Sequence, residues 1–108
     1  MKVVITRAAS ESLWPIYLYY LEYSQDYADQ FQYEIDRFIV DNLKANPLLG
    51  HVYHEERGIR RLIFRKRYNV YYAVREDAVF VLFVFDGRMD INNQLREQGL
   101  NVDALLEE

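Results

Sequence analysis

Apolar positions change their spacing several times along the chain, and each change predicts a new element. Lys2 to Thr6 is short and rich in β-branched residues, which predicts a first strand. Ser10-Glu11-Ser12 supplies helix-start chemistry, and with Ser12 as N-cap Pro15 falls in the first turn, where it removes no helical hydrogen bond. Leu13, Ile16, Tyr17, Tyr20, Leu21 and Ser24 keep helical spacing. Trp14, Leu18 and Tyr19 widen that stripe until the helix reads as packed on two sides. After a polar break at Ser24-Gln25-Asp26, a second stripe runs through Tyr27, Phe31, Ile35, Phe38, Ile39 and Leu43. Asn46-Pro47 ends it, because proline cannot continue the ladder. Two helices joined so closely predict an antiparallel hairpin.

Leu48 to Gly58 holds no period and reads as a connecting loop. Strand signals follow at Ile59–Arg65, Tyr68–Arg75 and Ala78–Phe85, separated by the short turns Arg65-Lys66-Arg67 and Glu76-Asp77. They predict a three-stranded antiparallel meander. The last strand is apolar on both faces, so it is expected to be central and covered by the helices on one side. Asp86-Gly87 closes it, Ile91–Gln98 reads as a short helix, and Asn101 as the cap of a last turn through Leu106. The fold class is α+β: an N-terminal strand, a helical hairpin, a meander and a short helical tail. Residues 1–98 are expected to form one domain, with 99–108 as an acidic helical tail.

Composition narrows the chemistry. The chain has 108 residues, enough for one core, and no Cys, which removes thiolate zinc sites and a thiol nucleophile. No apolar run approaches the roughly 20 residues needed to cross a bilayer, and the N-terminus has no leader-like apolar region; the expected setting is cytoplasmic, with no membrane partner.

Charge changes the picture more. The net charge of −4 hides three blocks. Residues 1–56 carry 4 basic and 9 acidic side chains, residues 57–88 carry 8 and 3, and residues 89–108 carry 1 and 5. Seven of the eight cations in the middle block are Arg (Arg57, Arg60, Arg61, Arg65, Arg67, Arg75 and Arg88, with Lys66 the eighth), the group suited to forked recognition of phosphate or carboxylate. The block reads either as a solvated face balancing the acidic helices or as a binding surface for a phosphate backbone or an acidic protein segment.

Other candidates are weaker. His51, His54, Glu55 and Glu56 resemble metal ligands only in type; in a loop their spacing fixes no geometry, so no metal is expected. Ten Tyr, six Phe and one Trp offer a stacking platform for bases but read better as core and interface mass. Asp86, Arg88 and Asp90 read as an ion-pair network rather than an acid–base pair, since no phosphate loop or nucleophile motif accompanies them.

From Lys2 to about Asp90 the chain resembles the RelE/ParE superfamily of bacterial type II toxins, often called plasmid stabilisation proteins. The likeness rests on Val3-Val4-Ile5-Thr6, the stripe Phe31…Leu43, the exit Asn46-Pro47-Leu48-Leu49-Gly50, Gly58-Ile59-Arg60-Arg61, Tyr68-Asn69-Val70-Tyr71-Tyr72 and Val81 through Asp90. It implies a small toxin neutralised by a cognate antitoxin. RelE-like members cut messenger RNA on the ribosome, whereas ParE-like members poison DNA gyrase.

The residues favour the ParE-like branch. RNA cleavage needs a proton acceptor, a proton donor and cations at the phosphate. RelE-like toxins place an Arg in the second meander strand and a Tyr or His near the C-terminus. Here the strand position is Asn69, and nothing after Gly87 is Tyr or His. No catalytic residue is therefore expected; Arg60, Arg61 and Arg88 are the candidates if the chain is a nuclease. A ParE-like gyrase inhibitor is the first reading, with a RelE-like nuclease and a non-toxic interaction module as alternatives. No cofactor is expected, nor direct nucleic-acid binding in the free state. The expected target contacts are Arg60, Arg65, Arg67 and Arg88, and the expected antitoxin face is Tyr20, Leu21 and Tyr27. The acidic tail is expected to fold back on the Arg-rich meander.

Overall fold

The structure, a computed structural model describing residues 1–87, orders the chain as β1 (Lys2–Ile5), α1 (Arg7–Leu21), α2 (Gln25–Ala45), β2 (His51–His54), β3 (Ile59–Phe64), β4 (Tyr68–Arg75) and β5 (Ala78–Asp86). The expected helical tail, the acidic segment 99–108, Arg88 and Asp90 lie outside the described residues.

Thr6, not Ser12, begins the first helix. Its backbone is extended, and its hydroxyl accepts from Ala9 N (3.2 Å) while donating to Val81 O (2.7 Å). One side chain thus caps α1 and anchors it to the sheet. Pro15 consequently sits inside the helix rather than in its first turn, on an exposed face where water can replace the lost donor. Ser12 serves another purpose: its hydroxyl accepts from Val84 N (2.8 Å) and donates to Ala9 O (2.7 Å). β1 pairs with β5 only as far as Ile5 and Val81, so α1 supplies a polar partner where β5 runs on alone.

Ser24 caps α2 in the expected polar break, accepting from Tyr27 N (3.2 Å), and Asn46 ends the helix. Phe31, Ile35, Ile39 and Leu43 of the second stripe are buried, as their spacing requires. α1 departs from expectation. Only Ala8, Ala9 and Leu13 are buried on it, while Trp14, Leu18, Tyr19 and Leu21 are exposed. Among the described residues it packs on one side.

Among the described residues the sheet has five strands in the order β1-β5-β4-β3-β2. β1 runs parallel to β5 and the other pairs are antiparallel, so the expected meander holds. It is extended by β2, which forms within the stretch read as a loop. Backbone pairing of His51 and Val52 with Arg61 and Arg60 defines that edge strand. Four residues interrupted by a register shift leave no period to detect. β5 lies between β1 and β4, and the helices cover one face.

That face carries the main core: Leu13, Phe31, Ile35, Ile39 and Leu43 against Leu62, Phe64, Val70, Tyr72, Val79 and Val81. The opposite face carries Ile59, Tyr71, Ala73, Leu82, Phe83 and Phe85, which form a second cluster. A register shift between β4 and β5 matches Tyr71 to Phe83 and Tyr72 to Val81, leaving Leu82 extra. Because of this bulge, consecutive residues Leu82 and Phe83 join the same cluster, and Phe85 stays with them.

Candidate functional site

The β3–β4 turn gathers the basic residues into a projecting tip. Arg65 and Lys66 have φ of 54° and 58°, and Arg67 N donates to Phe64 O (3.1 Å). Two positive-φ central residues are the pattern of a type I′ hairpin turn, which normally takes Asn-Gly. Arg and Lys fill both positions against their backbone preference. A local cost accepted at a cationic tip marks it as a candidate for function.

The guanidiniums beside the turn are held in place. Arg65 pairs with Glu34 of α2 and lies 4.8 Å from the Phe64 ring centre. Arg67 pairs with Asp86 at 3.0 Å and lies 5.2 Å from the Tyr68 ring centre. The hydrogen bond to Asp86 raises the Arg67 pKa further above its usual value. Tyr68 Oη meets Tyr20 Oη, which joins α1 to β4; burial, then that hydrogen bond, push the Tyr68 phenol well above its ordinary range. Lys66 is exposed and has no partner among the described residues.

Arg60 does not belong to this tip. It stands at the far end of β3, about 17 Å along the strand from Arg65. Its guanidinium donates to Gly50 O (2.7 Å) and Leu48 O (3.3 Å), fastening the α2–β2 connection. Tyr72 Oη completes that fastening by accepting from Gly50 N (2.8 Å). Arg61 takes the opposite face of the strand, 6.0 Å from the Tyr53 ring centre. Strand alternation therefore prevents Arg60 and Arg61 from converging on one phosphate. Arg88, expected as both a target contact and a nuclease candidate, lies outside the described residues, as does any ion-pair network it makes with Asp90.

His54 Nδ1 accepts from Arg57 N (3.3 Å), and His51 is exposed on the edge strand.

A second surface forms where α1 meets α2. Tyr23 is 72% exposed and Tyr27 47%, and Tyr19 and Leu21 are exposed as well; Trp14 (57%) and Leu18 are exposed elsewhere on α1, Trp14 stacking on Tyr17. Tyr19, Tyr20, Tyr23, Ser24 and Tyr27 line a shallow apolar cradle. Of the expected antitoxin face, Leu21 and Tyr27 are exposed. Tyr20 is half-buried, its ring tilted against those of Tyr27 and Phe31 while its hydroxyl bonds Tyr68. Sequence reasoning passed over Trp14, Tyr19 and Tyr23 as surface groups because helical spacing assigned most apolar residues of α1 to a core. It also passed over Lys66, although Arg-Lys standing where hairpins prefer Asn-Gly was a readable signal.

The molecule so defined is a small α+β protein with a cationic hairpin tip and an exposed aromatic patch on its helices. The chain belongs to the ParE toxin family of type II toxin–antitoxin (parDE) systems, whose family model matches residues 3–91. A search of curated proteins finds no match.

Proposed function

We propose that the protein is a toxin that acts by binding, inhibiting DNA gyrase through the β3–β4 tip, and that its antitoxin covers the aromatic face of the helical hairpin. Membership of the ParE toxin family supplies the toxin–antitoxin setting. The observation that carries the mode of action is the state of the groups at the tip. Asp86 is engaged by Arg67, and the buried Tyr68 phenol holds its proton at neutral pH; away from the tip, Arg60 and Arg61 face opposite ways. A strained, cationic turn with these neighbours suits contact with an acidic protein surface better than proton transfer.

Arg65, Lys66 and Arg67 are the contact residues, with Arg88 following Gly87 in the chain. Arg60 holds the α2–β2 connection in place. Leu21, Tyr23 and Tyr27, with Tyr19, form the antitoxin face: exposed aromatic residues beside one another are the usual anchors of a protein interface. No described helix is long and apolar enough to cross a membrane, and a gyrase target places the action in the cytoplasm.

The test is a supercoiling assay with purified gyrase and relaxed plasmid. The protein is expected to block supercoiling, and Lys66→Glu with Arg67→Glu is expected to weaken the block at least tenfold. Full supercoiling in its presence, together with codon-positioned cuts in mRNA on ribosomes, would establish the RelE-like alternative. Harmless expression with neither effect would identify a non-toxic module.

A further inference from the structure

The two helices do not close against each other along their whole seam. A cleft of about 740 Å³ opens between them, lined on its apolar side by Leu13, Val40 and Ile5. All of its lining residues belong to β1, α1 or α2. Trp14 stacks its exposed indole on the Tyr17 ring, with centroids 5.6 Å apart and planes 19° from parallel. The pair gives the cleft a flat aromatic wall whose face attracts cations. Asp36 lies in the same cleft, half-buried, and its described hydrogen bond comes from the neutral Gln32 amide (3.0 Å). Among the described residues no Lys or Arg lines the cleft, and no ion pair includes Asp36. A second carboxylate, Asp29, accepts from Tyr17 Oη (2.7 Å), and α2 as a whole carries five acidic side chains against two basic ones. A carboxylate set among apolar groups loses hydration that one neutral donor does not replace, whereas an arriving cation would.

We propose that this cleft is the seat of an arginine from the antitoxin, its guanidinium lying on Trp14 and forking onto the Asp36 carboxylate while flanking apolar side chains cover Leu13 and Val40. Arginine suits the seat better than lysine, because a planar guanidinium stacks on a ring and meets a carboxylate with two parallel hydrogen bonds. The volume is ample, since ligand clefts run to about 300–1,000 Å³. The seat is distinct from the tyrosine cradle near the helical turn, with which it shares no lining residue. The partner's identity rests on the reading that the antitoxin docks on the helices; the preference for a cation follows from the cleft itself.

Trp14 is the only Trp in the chain, so fluorotryptophan incorporated into it gives a single fluorine NMR signal from the cleft. The probe is the unlabelled antitoxin encoded beside this chain. Adding it is expected to shift that signal. Asp36→Asn is expected to weaken the complex at least tenfold by titration calorimetry, while unfolding in urea no earlier than the parent. When each Arg of the antitoxin is replaced by Ala in turn, one replacement should cost the parent at least tenfold in affinity and cost Asp36→Asn nothing further. Tyr23→Ala tests the cradle separately. A Trp14 signal that stays in place while Tyr23→Ala weakens the complex would overturn the seat and leave the cradle standing. A shifted signal and a coupled Arg, with Tyr23→Ala harmless, would uphold the seat and remove the cradle. Neither effect would remove both. A shift with no antitoxin Arg coupled to Asp36 would overturn the proposal. So would a signal that moves with the protein's own concentration before antitoxin is added, since a second copy would then fill the cleft.

Discussion

Replacing Lys66 by Gly separates what the hairpin tip costs from what it does. At φ 58° an L-residue carries a penalty of about 1–2 kcal/mol that glycine does not. Glycine in turn makes the unfolded chain more flexible, which takes back about 0.4–1 kcal/mol. The exposed Lys66 side chain makes no described contact, so nothing else is lost. Lys66→Gly should therefore stabilise the fold by about 1 kcal/mol, which for a chain of this size raises Tm by roughly 4–8 °C. Arg65→Gly relieves a similar strain at φ 54° but gives up the Glu34 pair and the Phe64 contact. Each of these is worth about 0.5–1 kcal/mol, so that variant should be close to neutral. Urea unfolding of the two variants beside the parent measures both values. If the tip is the gyrase contact as proposed, the same Lys66→Gly protein should inhibit gyrase less, because a cation has left it. A variant no more stable than the parent would refute the strained-turn account. A stabilised variant that inhibits undiminished would refute the tip as the contact.

Tyr71→Phe should be close to neutral in urea melts, within about 1 kcal/mol either way, because the buried Tyr71 hydroxyl, although Asn69 and Arg61 lie near it, meets no partner at full hydrogen-bond geometry among the described residues, so little is lost with it while its desolvation cost is relieved. Gly50→Ala should destabilise by several kcal/mol, since the added carbon would stand 2.7 Å from Arg61 O and 2.8 Å from the Tyr72 ring, and neither can withdraw cheaply. Asp36 is half-buried, and burial raises its carboxyl pKa above the usual 3.8, opposed in part by the Gln32 hydrogen bond. Its favourable contribution is complete below that ordinary value and is lost as pH rises through the elevated one. Asp36→Asn should therefore be more stable than the parent at pH 7, by less than about 1 kcal/mol because the site is partly wet, with the difference disappearing near pH 3.

Element identity was largely legible because it depends on local spacing. The stripe through Phe31, Ile35, Ile39 and Leu43 allowed only an amphipathic helix, and β4 runs from Tyr68 to Arg75 as its β-formers indicate. The cationic tip was legible as charge, but its strain was not, because φ is set by the strands that the turn must join. α1 was misread in two respects. Thr6 could be chosen over Ser12 as cap only once Val81 stood beside it. Side-chain hydrophobicity also cannot say whether Trp14 and Tyr19 meet a core or an interface, since both bury apolar area.

Fold class, the order of elements and the concentration of arginine in the meander were readable from the chain alone, because they follow from local spacing and composition. Strand pairing sets which side each arginine takes: Arg60 and Arg61 face opposite sides while Arg65, Lys66 and Arg67 share one tip. Pairing likewise places the bulge at Leu82 that turns Phe83 and Phe85 to the face away from the helices. Those outcomes depend on register, where a shift of one residue reverses every side chain, and register is fixed by partner strands distant in sequence.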